Sequence, residues 1–108
     1  MAANIRQITI VGTGLIGASV GLALRVRGFG GVVVGWDKDP ARAAVALSRG
    51  AIDEVTGDPM TAAAKSDLIV LAGPVFSILE WIDQMAPVLR AGQLVTDVGS
   101  VKGVIAER

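Results

Sequence analysis

The 108-residue sequence predicts an α/β domain with a doubly wound parallel sheet, and three observations carry that expectation. Short, largely β-branched apolar runs recur along the chain without polar alternation. Segments with helical spacing separate them. Glycine, proline and aspartate mark the joins. Strands that are apolar on both faces and divided by helices belong to a parallel sheet covered on both sides. Right-handed crossovers then leave few topologies, and the doubly wound one is favoured.

Ile8–Val11 is the first strand, and Leu15–Arg27 follows with helical spacing. Val32–Trp36 is the second strand. Asp39 is a good N-cap and Pro40 a natural first helical residue, so a helix should run from Pro40 to about Arg49, before Gly50. Ala51–Gly57 is expected to hold a brief third strand. Asp67–Ala72, reading DLIVLA, is a buried fourth strand. Val75–Arg90 carries apolar residues at Val75, Ile78, Leu79, Ile82, Met85 and Leu89, one face of a helix that Pro87 should kink or end early. Leu94–Thr96 is the fifth strand, after which the sheet is expected to stop. Lys102–Arg108 allows two helical turns at most, too few to be stable alone. The fifth strand should therefore leave an open sheet edge.

Ten Lys+Arg balance ten Asp+Glu, so no global charge points to nucleic acid or a membrane surface. There is no cysteine, which removes disulfides and thiolate metal sites and fits a cytoplasmic location. Histidine is absent as well, so no nucleophile–base pair of the serine-hydrolase type can be assembled. The uncharged run from Gln7 to Leu24 approaches membrane-span length, but Gly12 and Gly14 interrupt it early. It reads better as strand, turn and helix. Asp53, Glu54 and Asp58 read as a solvated loop with no further ligand to make a metal site. Trp36 is expected to pack against the sheet, and Phe29, Phe76 and Trp81 to be core or flank residues.

Gly12-Thr13-Gly14-Leu15-Ile16-Gly17 matches G-x-G-x-x-G. The motif is weak alone and gains force from the strand before it and the helix after it. Gly12 permits the tight turn, Gly14 lets backbone approach a pyrophosphate, and Gly17 lets the helix pack on the strand. Open N–H groups and the helix dipole suit a diphosphate there. A turn built only for packing would use the same glycines. Asp37 ends the second strand about twenty residues on, where a carboxylate can accept from the adenosine ribose and repel a 2′-phosphate. That favours NAD over NADP, an argument softened by nearby Lys38 and Arg42. Together these features make the expected sheet Rossmann-type.

Ligands of open α/β sheets sit beyond the carboxyl ends of the strands, where the winding reverses. Gly73 and Pro74 end the fourth strand there, although a plain strand-to-helix turn would look much the same. Asp97-Val98-Gly99-Ser100 ends the fifth strand and should lie beside the same crevice.

Four blocks, VGTGLIGASVGLAL, VGWDKDP, DLIVLAGPV and LVTDVGSVKGVI, resemble the N-terminal cofactor domain of the prephenate/arogenate dehydrogenase family in order and spacing. They cover nearly the whole chain. Two departures are small: Ala18 stands where the family usually has glycine, and Gly73 where alanine is commoner. The resemblance implies oxidative decarboxylation of prephenate or arogenate, with hydride passing to NAD, on the route to tyrosine. It implies cofactor contacts at Gly12, Thr13, Gly14, Leu15, Ile16, Gly17, Asp37, Lys38, Gly73, Pro74 and Ser100. Ser100 would also help position a catalytic histidine and the substrate hydroxyl. That histidine, the substrate-binding arginines and a helical C-terminal domain would lie beyond this chain, in a full-length homodimer. The 108 residues then look like the front part of an enzyme, inactive alone. Two alternatives stay open: a stand-alone NAD-binding or sensing module, and the cofactor domain of a β-hydroxyacid dehydrogenase or pyrroline-carboxylate reductase relative.

Overall fold

The computed structural model describes residues 5–72, 75–89 and 92–97. Five parallel strands form one sheet in the order β3-β2-β1-β4-β5, with β1 at Gln7–Val11, β2 at Val32–Trp36, β3 at Glu54–Val55, β4 at Leu68–Leu71 and β5 at Leu94–Asp97. The strand order reverses beside β1, which pairs with β2 on one side and β4 on the other. Val11 is in register with both Trp36 and Leu71, so three strands end level around one point.

The pleat of β1 sorts its side chains between two layers. Ile8 and Ile10 join Val33, Ala46, Ile52 and Val70 in a core covered by α1 (Leu15–Val26) and α2 (Pro40–Ser48). Val11 points the other way, into a core with Ala63, Ile69, Leu71 and Met85 under α3 (Pro59–Lys65) and α4 (Val75–Met85). Both layers are built mainly from alanine and aliphatic side chains, as the low aromatic content requires.

Helices α1 and α2 end alike. Arg27 and Arg49 are the C-caps, and Gly28 and Gly50 follow at φ +81° and +78°, a conformation glycine reaches without strain. Gly28 N–H and Phe29 N–H donate to Arg25 and Leu24 carbonyls, and Gly50 and Ala51 repeat the pattern to Leu47 and Ala46. Both are Schellman closures, satisfying carbonyls the helix leaves open.

Two expectations need correction. Helix α3 lies where none was expected. Asp58 caps it by accepting from Met60 and Thr61 N–H, with Pro59 in the first turn, so Asp58 is a helix cap and not a free loop acid. Asp53 also has structural work: its carboxylate accepts from Val33 N–H at 2.8 Å and pairs with Arg25. As expected from Pro87, the long helix ends early: it stops at Met85 and gives way to a 3-10 turn at Ala86–Val88, because Pro87 has no N–H to continue the α ladder. The third strand is short, as expected. The fifth runs one residue further than expected, with Asp97 paired to Leu71.

Candidate functional site

At the carboxyl edge of the sheet, β1 runs into the glycine turn. Gly12 stands at φ +98° and its N–H donates to the Trp36 carbonyl at 2.7 Å, tying the turn to the end of β2. Gly14 is the N-cap of α1. Leu15 and Ile16 open the helix, with Ile16 exposed. No side chain caps this end, and the first turn carries no acid, so nothing anionic competes for the positive end of the helix.

The glycines have different reasons to be glycine. A Cβ on Gly17 would overlap the carbonyl oxygen of Gly12, and one on Gly21 would overlap that of Ala51. Both are therefore packing glycines, at the strand and at the α2–β3 junction. Gly14 is neither crowded nor strained. Its φ is −71°, and a Cβ would meet nothing nearer than Arg42 Cδ at 3.7 Å, an ordinary contact. Packing does not demand glycine there.

Asp37 follows β2 and is buried. Its Oδ2 accepts from Thr13 N–H at 2.7 Å and Thr13 Oγ1 at 3.1 Å, and its Oδ1 from Asp39 N–H at 2.8 Å. Arg42 Nη1 stands 3.9 Å from Oδ1. The acid thus braces the glycine turn from behind, a role that sequence position alone did not suggest.

A cleft of about 460 Å³ opens in front of the turn, lined by Gly12, Gly14, Asp37 and Lys38, with Arg42 from α2 and Glu80, Trp81 and Gln84 from α4. Trp36 and Trp81 meet edge to face across its floor, ring centroids 4.9 Å apart. Trp36 packs against the sheet as expected, and it also faces the cleft. Of the residues expected at the cofactor, Gly12, Gly14, Asp37 and Lys38 converge here. Thr13 and Gly17 stand behind the turn and shape it. Gly73, Pro74 and Ser100 lie outside the described residues. The sequence reading missed Glu80 and Gln84, whose only signal was their spacing of one helical turn on a face beside Trp81.

A glycine turn on a bare helix N-terminus, an acid after the second strand and a cleft at the reversal of strand order define a dinucleotide-binding α/β domain. The profile described as "Prephenate dehydrogenase, nucleotide-binding domain" matches residues 20–108, and the chain belongs to that family. It is 35% identical over 103 residues to prephenate dehydrogenase of Lactococcus lactis subsp. cremoris, covering 94% of this chain and 28% of that protein. With cyclohexadienyl dehydrogenase of Zymomonas mobilis it shares 36% over 102 residues, covering 90% of this chain and 33% of the relative. Among solved structures, A. aeolicus prephenate dehydrogenase in complex with hydroxyphenyl propionate and NAD+ superposes with a TM-score of 0.83 at 28% identity. That match covers 100% of this chain and 41% of the other. Synechocystis arogenate dehydrogenase gives 0.78 at 36% identity, covering 94% and 35%. The chain therefore spans about a third or less of the length of the curated relatives it matches. Those relatives are oxidoreductases.

Proposed function

We propose that the chain is the NAD-binding domain of a prephenate or arogenate dehydrogenase, an oxidoreductase of tyrosine biosynthesis that works in the cytoplasm. Gly14 carries the reading: the one glycine of the turn that neither packing nor backbone strain demands stands where a diphosphate must come close. NAD would lie with its diphosphate over Gly12–Gly14 and its adenosine toward Asp37 and the α4 wall. When bound, the nicotinamide supplies the hydride acceptor for oxidative decarboxylation. This chain's own residues bind and orient the cofactor. Among the described helices none is long and apolar enough to cross a membrane, which is compatible with that setting.

The finer parts of the proposal concern the whole enzyme. It would be a homodimer whose catalytic histidine and substrate-binding arginines come from a helical C-terminal domain. The 108 residues contain no histidine. Asp, Glu and Lys, the titratable types that remain, have free side chains that titrate far from neutrality. This chain alone should therefore bind NAD without turning over prephenate or arogenate, and NADH formation above background would overturn that assignment.

Gly14→Ala tests the binding site directly. Its thermal midpoint should stay close to that of the parent, because the backbone there suits alanine and the space is open, whereas NAD affinity measured by calorimetry should fall tenfold or more. If Gly14→Ala binds NAD as the parent does, the turn is there for packing alone and the cofactor reading fails.

A further inference from the structure

The α4 wall of the cleft carries two polar side chains that the fold itself does not use. Glu80 and Gln84 are exposed and line the cleft, and neither bonds to another described residue. They stand one helical turn apart on α4, which sets their Cβ atoms about 5–6 Å from each other on one face. Trp81 lies between them in the chain, packed on the core under α3 and α4 and held edge to face by Trp36. The wall thus joins an apolar ring to a carboxylate, which only accepts, and an amide, which can donate.

The charges of the cleft are segregated. Lys38 and Arg42 line it from the β2–α2 side, and the Arg42 stem comes within contact distance of Gly14. Of the two acids among the described residues that line it, Asp37 is buried and accepts from Thr13 and Asp39, whereas Glu80 is exposed on the α4 side. A carboxylate repels a phosphate, so a dinucleotide gains by laying its diphosphate near the cations and turning a hydrogen-bond donor toward Glu80. The adenine base carries such a donor, its exocyclic amine, with a ring nitrogen acceptor next to it. A carboxylate suits the first and a glutamine amide the second. Hypoxanthine has a carbonyl oxygen in place of the amine and would set acceptor against acceptor.

We propose that Glu80 and Gln84 read the edge of the base: Glu80 accepts from the exocyclic amine of adenine, Gln84 donates to the neighbouring ring nitrogen, and Trp81 supports the ring. The inference rests on the cofactor reading above and adds to it a choice among purines. An apolar crevice alone would hold any purine of the same shape. A carboxylate at the edge does not, because against hypoxanthine it loses water without gaining a donor.

The chain contains two tryptophans, and both line the cleft, so intrinsic fluorescence follows occupancy of this site. The 108-residue chain and its Glu80→Gln variant are titrated with NAD and with the hypoxanthine analogue of NAD, which carries the same charge. The parent should bind NAD about tenfold more tightly than the analogue, or better, as a site built to bond a missing group must. In Glu80→Gln the two affinities should move in opposite directions. NAD loses a charge-assisted bond, while the new amide can turn its N–H toward the carbonyl oxygen of hypoxanthine. Loss of negative charge by itself would raise both affinities together, because both ligands are anionic. Gln84→Leu should weaken NAD binding about threefold or more and leave the thermal midpoint in place. If the parent binds the two nucleotides alike, if both affinities rise in Glu80→Gln, or if Gln84→Leu binds NAD as the parent does, the base-edge assignment is wrong and the NAD reading stands. If the parent binds neither nucleotide, the cofactor reading itself fails and takes this inference with it.

Discussion

Asp37 does two jobs with one carboxylate, and a substitution there should show both. Asp37→Ala leaves Thr13 N–H and its hydroxyl without their acceptor in a buried setting. An unsatisfied buried donor costs about 1–3 kcal/mol, so urea denaturation of the ligand-free domain should reveal a loss of that size. A strand-end acid that served only the ribose would leave the ligand-free stability untouched. Asp37→Asn keeps one carbonyl oxygen for Thr13 N–H and should lose less. NAD binding should weaken in both variants, because the turn loses its brace as well as an acceptor. Glycines make the same point about residue-level roles. Three of them share one helix face by spacing, yet Gly17 and Gly21 are fixed by neighbouring carbonyl oxygens and Gly14 by nothing in the fold. Sequence spacing cannot separate these reasons, because it does not say which backbone atom stands opposite each missing Cβ.

Helix α1 is wedged between two backbone carbonyls, and α3 hangs on one acid. Gly17→Ala and Gly21→Ala each force a shift of backbone, not of a flexible side-chain end. Overpacking of this kind costs about 1–3 kcal/mol and sometimes more, while Gly14→Ala should stay within about 1 kcal/mol of the parent. Denaturation midpoints of the three variants should rank in that order. In α3, the Thr61 hydroxyl, then the Thr61 N–H, hold the Asp58 carboxyl below its ordinary value, with Met60 N–H adding to the effect. A depressed folded-state value means the cap contributes fully above the unfolded carboxylate range. Its contribution fades as pH falls through the depressed value. Asp58→Asn should flatten that acid limb of the stability profile, as pH-dependent denaturation would show. The alternation of strands and helices was legible because apolar runs and capping residues are local signals, as Asp39-Pro40 before α2 illustrates. Asp58-Pro59 carries the same signal before α3. It is hard to read because the helix it opens has only seven residues, too few to display an apolar period.

At the scale of the whole molecule, the reversal of strand order beside β1 gathers residues from β1, β2, α2 and α4 into one cleft. The sequence located the glycine turn and Asp37 because both follow strands directly. It did not locate Arg42, Glu80 and Gln84 as walls of the cleft. They are exposed helix residues whose meeting depends on two crossovers onto opposite faces of the sheet. β5 stands at the outer edge of the described sheet, with Leu94 59% and Val95 38% exposed. An apolar strand edge of this sort invites pairing with another chain. The 108-residue chain should therefore self-associate as its concentration rises, and sedimentation showing a monomer throughout would remove β5 as an adhesive edge. The brace behind the glycine turn has a different kind of consequence. Gly12 and Thr13 N–H are both bonded within the protein, to Trp36 and Asp37, before any nucleotide arrives. The cradle is thus set in advance, and little chain freedom is left to surrender on binding. Hydrogen exchange at these two amides should already be slow in the empty domain and should slow only slightly further when NAD is added. A large gain in protection at Thr13 would mean instead that the nucleotide itself assembles the turn.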